Sequence, residues 1–494
     1  MLKKIQQDFS YYSHEFKDNY RKGVHRLRTI LASRAQAQAF VSNAGGVAVV
    51  LGYEPETPDK NAQELYALLA ASPYIDDAVQ TFLGSIYEAG AESQDAMYSD
   101  SARCLEILHD PVMSRAAGAG TVSAGKWIAA LAGQSCAAYT DIAAVAASET
   151  AMTAVAASET AMAAVVSNAT ALNAVVTSQV ALNAVVASET AMAAVIGNAT
   201  ALNVVATSQA AMNAVAASET AMTAVIANTA AFNTVVTSHV AMNAVASSYV
   251  AVAAVYESAV AVEAVKANET AWATLTGASS AVMGKAAAKL AGLNPADYAD
   301  MAAIASSSTA MAAIASSQTA MAAIEKSQVA KDAIAASDMA TAKYAVGAAG
   351  LNPADYANMA AVASSQTAMA AVASSQTAMA AIASSQTAMA AIAASSTALS
   401  AIAASTTALD AIYAKKKRMS GASASLSGKF IILQISNDNA FDTSQYGYAI
   451  LSDGSKPKWD SYKDKYAYFK QYKKIATYMK NDTDRDDWID YFQC

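Results

Sequence analysis

The sequence predicts a mainly α protein whose centre is a decapeptide-repeat solenoid of short two-turn helices. It also predicts a helical N-terminal domain and a small α+β tip at the C-terminus. Three observations lead to this fold class: a ten-residue phrase recurs from Tyr139 to Ala414, every copy has Ser, Asn or Asp at one fixed slot, and the composition changes abruptly at Gly428. Fixed periods are typical of repeat architectures, in which each unit packs on its neighbours.

The fixed polar slot indicates where each helix begins. Ser and Asn side chains accept hydrogen bonds from the free NH groups of a helix's first turn, so each copy is predicted to be a cap followed by about two helical turns. After Ser148, for example, Ala151, Met152 and Val155 occupy positions that share one helical face. The slots of the first array are Ser148, Ser158, Asn168, Ser178, Ser188, Asn198, Ser208, Ser218, Asn228, Ser238, Ser248, Ser258 and Asn268.

An alternative to the solenoid is one unbroken helix in a fibrous bundle, because Ala, Met, Glu and Gln are good helix formers. At roughly 100° per residue, a ten-residue step returns the apolar slot about 80° away, so the apolar stripe would wind around the helix. Short capped helices explain the Ser/Asn slot directly. Helices of about eight residues are unstable alone in water, so each would depend on its neighbours.

The chain before the repeats is predicted to be helical and to serve attachment. In residues 1–40, the apolar residues from Leu2 to Phe16 and from Tyr20 to Leu31 have a 3-4 spacing. This spacing fits either a coiled-coil seam between subunits or an amphipathic helix packed on its own domain. Residues 41–136 are predicted to be a helical attachment domain. A basic cluster either faces solvent or docks on an acidic partner; it consists of Arg21, Lys22, His25, Arg26 and Arg28.

The repeats divide into three arrays. Gly277 and Gly284 interrupt the first, and the phrase Leu-Asn-Pro-Ala-Asp-Tyr-Ala occurs at 293–299 and again at 351–357. In both copies we expect the Asp to occupy the cap slot after a Pro that opens a helix. The predicted caps are Asp297, Ser307, Ser317, Ser327 and Ser337 in array two, and Asp355, Ser365, Ser375, Ser385, Ser395 and Ser405 in array three. The predicted segments are array one 137–276, a joint 277–296, array two 297–337, a joint 338–354, array three 355–414, a linker 415–427 and the tip 428–494.

The tip differs from the repeats because it is rich in aromatic residues. Residues 430–435 and 446–451 are predicted strands, Asp453-Gly454 is a turn signal, and residues 462–480 are a predicted helix. Exposed Tyr and Trp provide a large contact area at low entropic cost, so some of these side chains are candidates for receptor contact. The candidates are Tyr446, Tyr448, Trp459, Tyr462, Tyr468, Trp488 and Tyr491.

The sequence contains no recognisable chemistry of catalysis, and we predict no enzyme, cofactor or metal. Asp482, Asp484 and Asp486 have the alternate spacing of a calcium loop, but the Gly and the bidentate Glu of that loop are missing. The segment from Gly120 to Lys126 resembles a phosphate loop that ends in Trp127 instead of Ser or Thr. The repeats have almost no ionisable residues, which catalysis requires in a pocket.

Composition restricts the other function classes. The formal net charge of −8 argues against general nucleic-acid binding. Polar residues return within every ten residues or so, which predicts no membrane-spanning segment, and the start of the chain predicts no signal peptide. Cys104, Cys136 and Cys494 have no metal-ligand spacing and are predicted to be buried or incidental thiols.

The motif Ser-Xaa-Thr-Ala-Met-Ala-Ala-Val/Ile, as in Ser385 to Ile392, resembles the alanine-rich repeat regions of tail-fibre proteins of tailed bacteriophages. The resemblance covers a little over half of the chain. It implies a virion location, an N-terminal region that docks on other virion proteins, a shaft that is commonly a homotrimer, and a tip that adheres to a host receptor or glycan. No individual binding residue follows from it.

Three functions are therefore compared. The leading one is a structural fibre that spaces a receptor-binding tip from a virion. A bacterial surface adhesin or scaffold stalk is the alternative from another class, and the predicted absence of a signal peptide counts against it. A fibre with a glycan-cleaving tip would need two of Asp442, Asp453 and Asp460 to act as a pair of acids.

Overall fold

The computed structural model of the chain is 77% helical, with a small antiparallel sheet at the C-terminus. It describes residues 2–17, 20–52, 60–87, 93–413, 416–420, 424–436, 446–451, 454–456, 458–460, 469–480 and 488–493. The chain divides into two compact units, one of residues 1–254 and 263–271, the other of residues 255–262 and 272–494. In the described residues, no single helix is long and apolar enough to cross a membrane; six pairs of successive helices reach that length and hydropathy only together, and each pair is bent by 98–104°.

The helices before the repeats are short and pack on one another. They are α1 Leu2–Lys17, α2 Tyr20–Ala32, α3 Arg34–Val41, α4 Ala44–Leu51, α5 Lys60–Ala70, α6 Ile75–Ile86, α7 Gln94–Tyr98, α8 Ser101–His109, α9 Pro111–Ala117 and α10 Thr121–Leu131. Residues 1–40 thus form three helices instead of the single predicted one. Phe16 at the end of α1 is buried against Phe40, with ring centroids 5.9 Å apart, and α1 also contacts α2 and α4. These contacts favour an amphipathic helix packed on its own domain over a coiled-coil seam.

The first array consists mostly of nine-residue helices. They are α11 Ile142–Ala147, α12 Glu149–Ala157, α13 Glu159–Ser167, α14 Ala169–Thr177, α15 Gln179–Ala187, α16 Glu189–Gly197, α17 Ala199–Thr207, α18 Gln209–Ala217, α19 Glu219–Ala227, α20 Thr229–Thr237, α21 His239–Ser247, α22 Tyr249–Glu257, α23 Ala259–Lys266 and α24 Glu269–Thr276. The prediction of short helices is confirmed and the unbroken helix is wrong. The slot from Ser148 to Asn268 is the N-cap each time, and its side-chain oxygen accepts from the backbone NH three residues on.

The second unit continues with the same kind of helix. These helices are α25 Ser280–Leu290, α26 Met301–Ser306, α27 Ser308–Ser316, α28 Gln318–Lys326, α29 Gln328–Ala335, α30 Asp338–Ala348, α31 Met359–Ser364, α32 Gln366–Ala373, α33 Gln376–Ser384, α34 Gln386–Ala394, α35 Ser396–Ala404 and α36 Thr406–Tyr413. Three 3-10 turns interrupt the chain at Cys136–Ala138, Pro295–Asp297 and Pro353–Asp355. Every predicted serine cap from Ser307 to Ser405 is confirmed.

Most of the repeat helices contact the next helix and also the helix three places further along. In the first unit α12 contacts α15 and α18 contacts α21; in the second, α27 contacts α30 and α30 contacts α33. The side chains that pack between these helices are the Ala, the bulky apolar residue and the aliphatic residue of most repeats, such as Ala181, Leu182 and Val185, which are buried. The core is therefore made between helices, as short helices require.

Several cap serines join helices that are four places apart in the chain. The Ser178 hydroxyl accepts from the NH of Ala181 and donates to the carbonyl of Ala146, which lies at the end of α11. Seven such bonds reach back 32 residues, with oxygen–oxygen distances of 2.5–2.7 Å; they start from Ser178, Ser188, Ser218, Ser238, Ser248, Ser395 and Ser405. One hydroxyl thus satisfies an NH group at one helix start and a carbonyl at another helix end, both of which lack partners inside their helices.

A 21-residue segment precedes each array and recurs three times, at residues 121–141, 280–300 and 338–358; we call it the start module. Each copy has an eleven-residue helix, a glycine with positive φ (Gly133, Gly292 or Gly350, at 71–75°), a 3-10 turn and an Asp or Asn cap. The NH of the residue immediately before the Asn, or before Ser135 in the first copy, closes the helix end: Leu351 donates to Val346 O at 3.0 Å. This closure is a Schellman motif, in which Gly adopts the left-handed conformation without steric cost.

The start modules correct two predictions. The caps after the Pro turns are Asp300 and Asn358, three residues beyond the predicted Asp297 and Asp355, which instead end the 3-10 turns. Pro therefore opens a 3-10 turn and not an α-helix. The predicted joint 338–354 contains α30, which packs on α27 and α33, so the helix contacts continue through it.

The C-terminal sheet contains β1 Lys417–Ser420, β2 Ser425–Ser436, β3 Tyr446–Leu451, β4 Lys458–Asp460, β5 Phe469–Lys480 and β6 Trp488–Gln493, in the order β1-β6-β2-β5-β3-β4. All pairs are antiparallel. The predicted strands 430–435 and 446–451 are confirmed. Two predictions are wrong: residues 469–480 of the predicted helix form β5, and the predicted linker 415–427 contains β1 and the start of β2.

The sheet and the last repeat helices share one core. Ile431 and Leu433 of β2 and Phe492 of β6 belong to the same buried cluster as Ile402 and Ile412 of the helices. The alternate residues of β2, Phe430 and Ile432, lie in a second cluster on the other side of the sheet. The predicted boundary at residue 428 therefore does not separate two independent cores.

We expect the cap serines to contribute more than surface hydroxyls do. Replacing Ser178 and Ser188 by Ala removes, at each site, an N-cap and a hydrogen bond to the end of the helix four places earlier, which should cost on the order of 2 kcal/mol per site. Thermal unfolding of the double variant measures the loss. Thr177→Ala is the control, because the Thr177 hydroxyl donates within its own helix, to Asn173 O at 2.7 Å. An unchanged midpoint in the double variant would contradict the double role of these serines.

Two glycine substitutions should have opposite effects. Gly350→Ala forces a side chain into the left-handed region and should destabilise the chain by about 1 kcal/mol, although nothing lies within 4 Å of the new methyl group. Gly197→Ala lies in the last turn of α16, also with free space around it, and should stabilise the chain by a few tenths of a kcal/mol, roughly half the usual helix-interior gain. Equal shifts of the two melting temperatures would argue against the Schellman closure.

Candidate functional site in the C-terminal sheet

The structure distributes the seven candidate contact residues among different environments. Tyr491 is only 7% exposed, its ring packs edge-on against Phe430 at 5.5 Å, and burial raises its pKa. We therefore withdraw Tyr491 as an exposed contact. Trp488 is partly buried, with the Arg418 guanidinium 3.6 Å from its ring centroid, so one face of the indole is covered.

The other candidates lie at the opposite edge of the sheet or outside the described residues. Tyr446 and Trp459 belong to the paired strands β3 and β4, with Tyr446 opposite Asp460 and Trp459 opposite Gly447. Tyr462 and Tyr468 lie outside the described residues. Tyr448 is partly exposed, and its ring packs against an aromatic neighbour.

That neighbour is Tyr478 on β5. The two ring centroids are 5.4 Å apart and the ring planes are tilted by 34°. The strand register places Tyr448 opposite Lys480 and Ile450 opposite Tyr478. On the other side of β5, Ser425 pairs with Lys480 and Ser427 with Tyr478. Directly opposed residues point to the same side of a sheet, so these six residues share one face.

We call this face the tyrosine surface; it consists of Ser425, Ser427, Tyr448, Ile450, Tyr478 and Lys480. The two serines are exposed and the other four residues are partly exposed. The intervening residues Ala449 and Met479 are fully buried on the opposite side, in the cluster around Phe430. The tyrosine surface therefore combines an apolar aromatic centre with two hydroxyls and one ammonium group at its border.

Sequence reasoning missed Tyr478 because it assigned residues 462–480 to a helix. The irregular register of β5 also hides the alternation: Ile450 pairs with Tyr478 but Leu451 pairs with Ala476, which leaves Thr477 as a bulge. The Thr477 hydroxyl donates to Ile450 O at 3.3 Å. The recoverable signal was the alternation Tyr478-Met479-Lys480, which matches Tyr448-Ala449-Ile450 in period two.

A cluster of charged side chains joins β1 to β6 near Trp488. It consists of Asp490, Arg418 and Lys416, and we call it the Asp490 cluster. Asp490 is fully buried and accepts two bonds from Arg418, Nε to Oδ1 at 2.6 Å and Nη2 to Oδ2 at 2.9 Å, and Lys416 Nζ lies 3.1 Å from Oδ2. Lys416 Nζ is also 3.9 Å from the Tyr413 ring centroid at the end of α36. The basic run that seemed to be a linker is thus an anchor between the repeats and the sheet.

The segment at residues 120–126, which resembles a phosphate loop, holds a carboxylate of the chain itself. Helix α10 begins after Gly120, and the Asp76 carboxylate occupies its N-terminus, where Oδ1 accepts from Ser123 N at 2.9 Å. Burial raises the pKa of Asp76. Lys126 pairs with Asp95 and also donates to Cys136 O. The anion position of this helix is filled by the chain's own carboxylate, which explains why the segment needs no phosphate.

Other candidate chemistry is accounted for as follows. Among the described residues no group of three or more His, Cys, Asp and Glu side chains could hold a metal ion. Asp482, Asp484 and Asp486 of the near-miss calcium loop lie outside the described residues, as do Asp442 and Asp453; Asp460 belongs to β4. Cys104 and Cys136 are buried free thiols, and burial raises the pKa of Cys104 to about 12. A thiol with that pKa is a poor nucleophile.

The N-terminal basic cluster is exposed where it is described. Lys22, His25 and Arg28 of α2 are exposed, and Arg26 lies 3.9 Å from Glu15 of α1. Phe9 and Tyr11 of α1 are 40% and 55% exposed. Arg21 lies in α2, but its side chain is outside the described part.

No protein-family model matches this chain, and no curated protein matches it. The functional assignment therefore depends on the sequence pattern and on the geometry of the chain itself.

The loss of stability caused by a substitution in the Asp490 cluster should depend on whether the substitution leaves a buried charge without its partner. Arg418→Ala leaves the buried Asp490 carboxylate with Lys416 alone and should cost on the order of 2–3 kcal/mol. Asp490→Asn should cost less, because the half-exposed Arg418 can regain water. Denaturant titration measures both changes.

The control for this ranking is Lys326→Ala, which breaks an exposed pair with the adjacent Glu325 and should change stability by less than about 0.5 kcal/mol. Equal effects of Lys326→Ala and Arg418→Ala would show that the Asp490 cluster is no anchor.

Proposed function

We propose that this protein is a structural virion fibre, in which a repeat solenoid spaces a host-binding C-terminal tip from an N-terminal region that attaches to other virion proteins. The observation that carries the proposal is the pair of hydrogen bonds that one cap serine makes. Because Ser178 caps its own helix and also binds the end of α11, the repeat polar slot serves the assembly of the shaft itself.

The interior of the repeats supports a passive role. In most repeats the inward residues are Ala, a bulky apolar residue and an aliphatic residue, as at Ala191, Met192 and Val195. Catalysis requires polar groups with perturbed pKa values in a pocket. Repeat helices with this interior suit a spacer, whose length is set by the number of repeats.

The two ends support the assignment of contacts. In the N-terminal region, α2 presents Lys22, His25 and Arg28 to solvent, which suits docking on an acidic surface of another virion protein. At the other end the tyrosine surface suits recognition, since Tyr gives a large contact area at low entropic cost. A homotrimer, which the resemblance to tail fibres implies, is part of the same proposal.

Changing the number of repeats tests the spacer. Residues 179–238 comprise two sets of three helices, so deleting or duplicating them keeps the contact between every third helix. For stacked helices at about 9 Å per layer, the particle should shorten or lengthen by about 18 Å at constant width. Electron micrographs of the three purified proteins give the lengths. A constant length, or a step of about 90 Å expected of continuous helix, would rule out the solenoid.

Antibody labelling tests the location. Antibodies raised against residues 149–238 should label external appendages of virus particles recovered from a producing culture. Antibodies against an unrelated intracellular protein of the same host are the control. Labelling restricted to the surfaces of uninfected cells would favour a bacterial stalk protein.

A further inference from the structure

We propose that the tyrosine surface binds an acidic glycan, a sugar chain bearing carboxylate or phosphate groups. This inference rests on the proposed host-binding role of the tip and names the class of its ligand. It is carried by three features: the geometry of the tyrosine pair, the position of the two serines, and the charge around Tyr448.

The tyrosine pair forms a broad apolar platform. The Tyr448 and Tyr478 rings are 5.4 Å apart at a tilt of 34°, and Ile450 lies on the same face, opposite Tyr478. The apolar CH face of a sugar ring packs on an aromatic surface of this kind, while its hydroxyls need polar partners at the border. An open sheet face also admits an internal segment of a long chain, which a closed pocket would not.

The border of the platform supplies those polar partners. Ser425 and Ser427 are exposed and lie opposite Lys480 and Tyr478 in the strand register. A serine hydroxyl both donates and accepts, as sugar hydroxyls do. The surface therefore offers serine hydroxyl partners beside an aromatic centre.

Charge selects an acidic ligand over a neutral one. In the strand register Tyr448 lies opposite Lys480 on β5, whose side chain is partly exposed. Residues 415–494 contain fourteen Lys and Arg and ten Asp and Glu, a net charge of +4, whereas the whole chain has a net charge of −8. Ammonium groups bind carboxylate and phosphate oxygens through charge-assisted hydrogen bonds. The end of the chain is therefore the part suited to an anionic partner.

An array of acidic glycans and their neutral counterparts tests this proposal with the full chain. Uronate oligosaccharides and their methyl esters share a backbone and differ in charge, and phosphorylated and unphosphorylated mannose oligosaccharides form a second matched set. We expect binding to one acidic member at least tenfold stronger than to its neutral counterpart. The uronate and phosphate arms distinguish the two sources of charge.

Variants locate the binding on the tyrosine surface. Tyr478→Ala and Tyr448→Ala should each weaken binding at least tenfold, while Tyr478→Phe, which keeps the ring, should retain most of it. Lys480→Gln should reduce the ratio of acidic to neutral binding at least fivefold. Lys456→Gln, an exposed lysine outside the tyrosine surface, is the matched control and should leave the ratio unchanged. Unchanged melting temperatures show that the variants remain folded.

Several results would overturn the proposal. They are no binding to any acidic glycan, equal binding to neutral partners, binding unaffected by both Tyr→Ala variants, or equally strong binding to single-stranded DNA or an acidic peptide. Labelling of virions without glycan binding would refute only the ligand class. Glycan binding without labelling of virions would refute the fibre while leaving the site intact.

Discussion

The structure depends on one polar side chain at the boundary between successive helices. A helix of nine residues leaves four NH groups and four carbonyls without internal partners, which is close to half of its backbone groups. In the repeats a hydroxyl such as that of Ser188 satisfies an NH group of its own helix and the carbonyl of Ala156. The hydrogen bond fixes the approach of the two helix ends, and the buried Ala, Met and Val side chains fill the space between the helices. Neither contribution would suffice alone, because helices this short are unstable in isolation.

The contact between every third helix gives the surface a longer period than the core. Core positions repeat every ten residues because each helix needs the same apolar face. Some outward positions of the first array repeat every thirty: Asn173, Asn203 and Asn233 are one such set, and Glu159, Glu189 and Glu219 are another. Residues thirty apart lie on helices that contact one another, so each set continues along one side of the array. The packing of the core does not require this second period.

Features that depend on residues close together in the chain could be predicted from the sequence, whereas features that depend on distant residues could not. The Ser and Asn caps, the lengths of the repeat helices, strand β3 and residues 430–435 of β2 depend on local chemistry, and the sequence predicts them correctly. The sequence marked two of the three start modules, through Pro295 and Pro353. The module at residues 121–141 has Cys136 at the same place and was not recognised. At the second start module the helix cap was predicted at Asp297, three residues before the true cap, because Asp297 belongs to a 3-10 turn that precedes the α-helix. The sequence pattern did not predict contacts between residues that are far apart in the chain. Arg418 meets Asp490 from 72 residues away, and β5 is a strand because β2 and β3 pair with it. Of the candidate site, Tyr448 could therefore be predicted and Tyr478 could not.

The C-terminal sheet solves a problem that repeat proteins share, since the last unit of an array has an apolar face with no further unit to cover it. Ile431, Leu433 and Phe492 cover the last helices, and the Asp490 cluster holds β1 beside α36. Earlier in β2, Ser425 and Ser427 stand in place of such apolar residues and are exposed. The strand thus changes from bordering the tyrosine surface to capping the core within a few residues, across Gly428, where φ is 144° and beyond which the register shifts. Because the two roles use different residues of the same strand, residues of the tyrosine surface can change without exposing the end of the repeats.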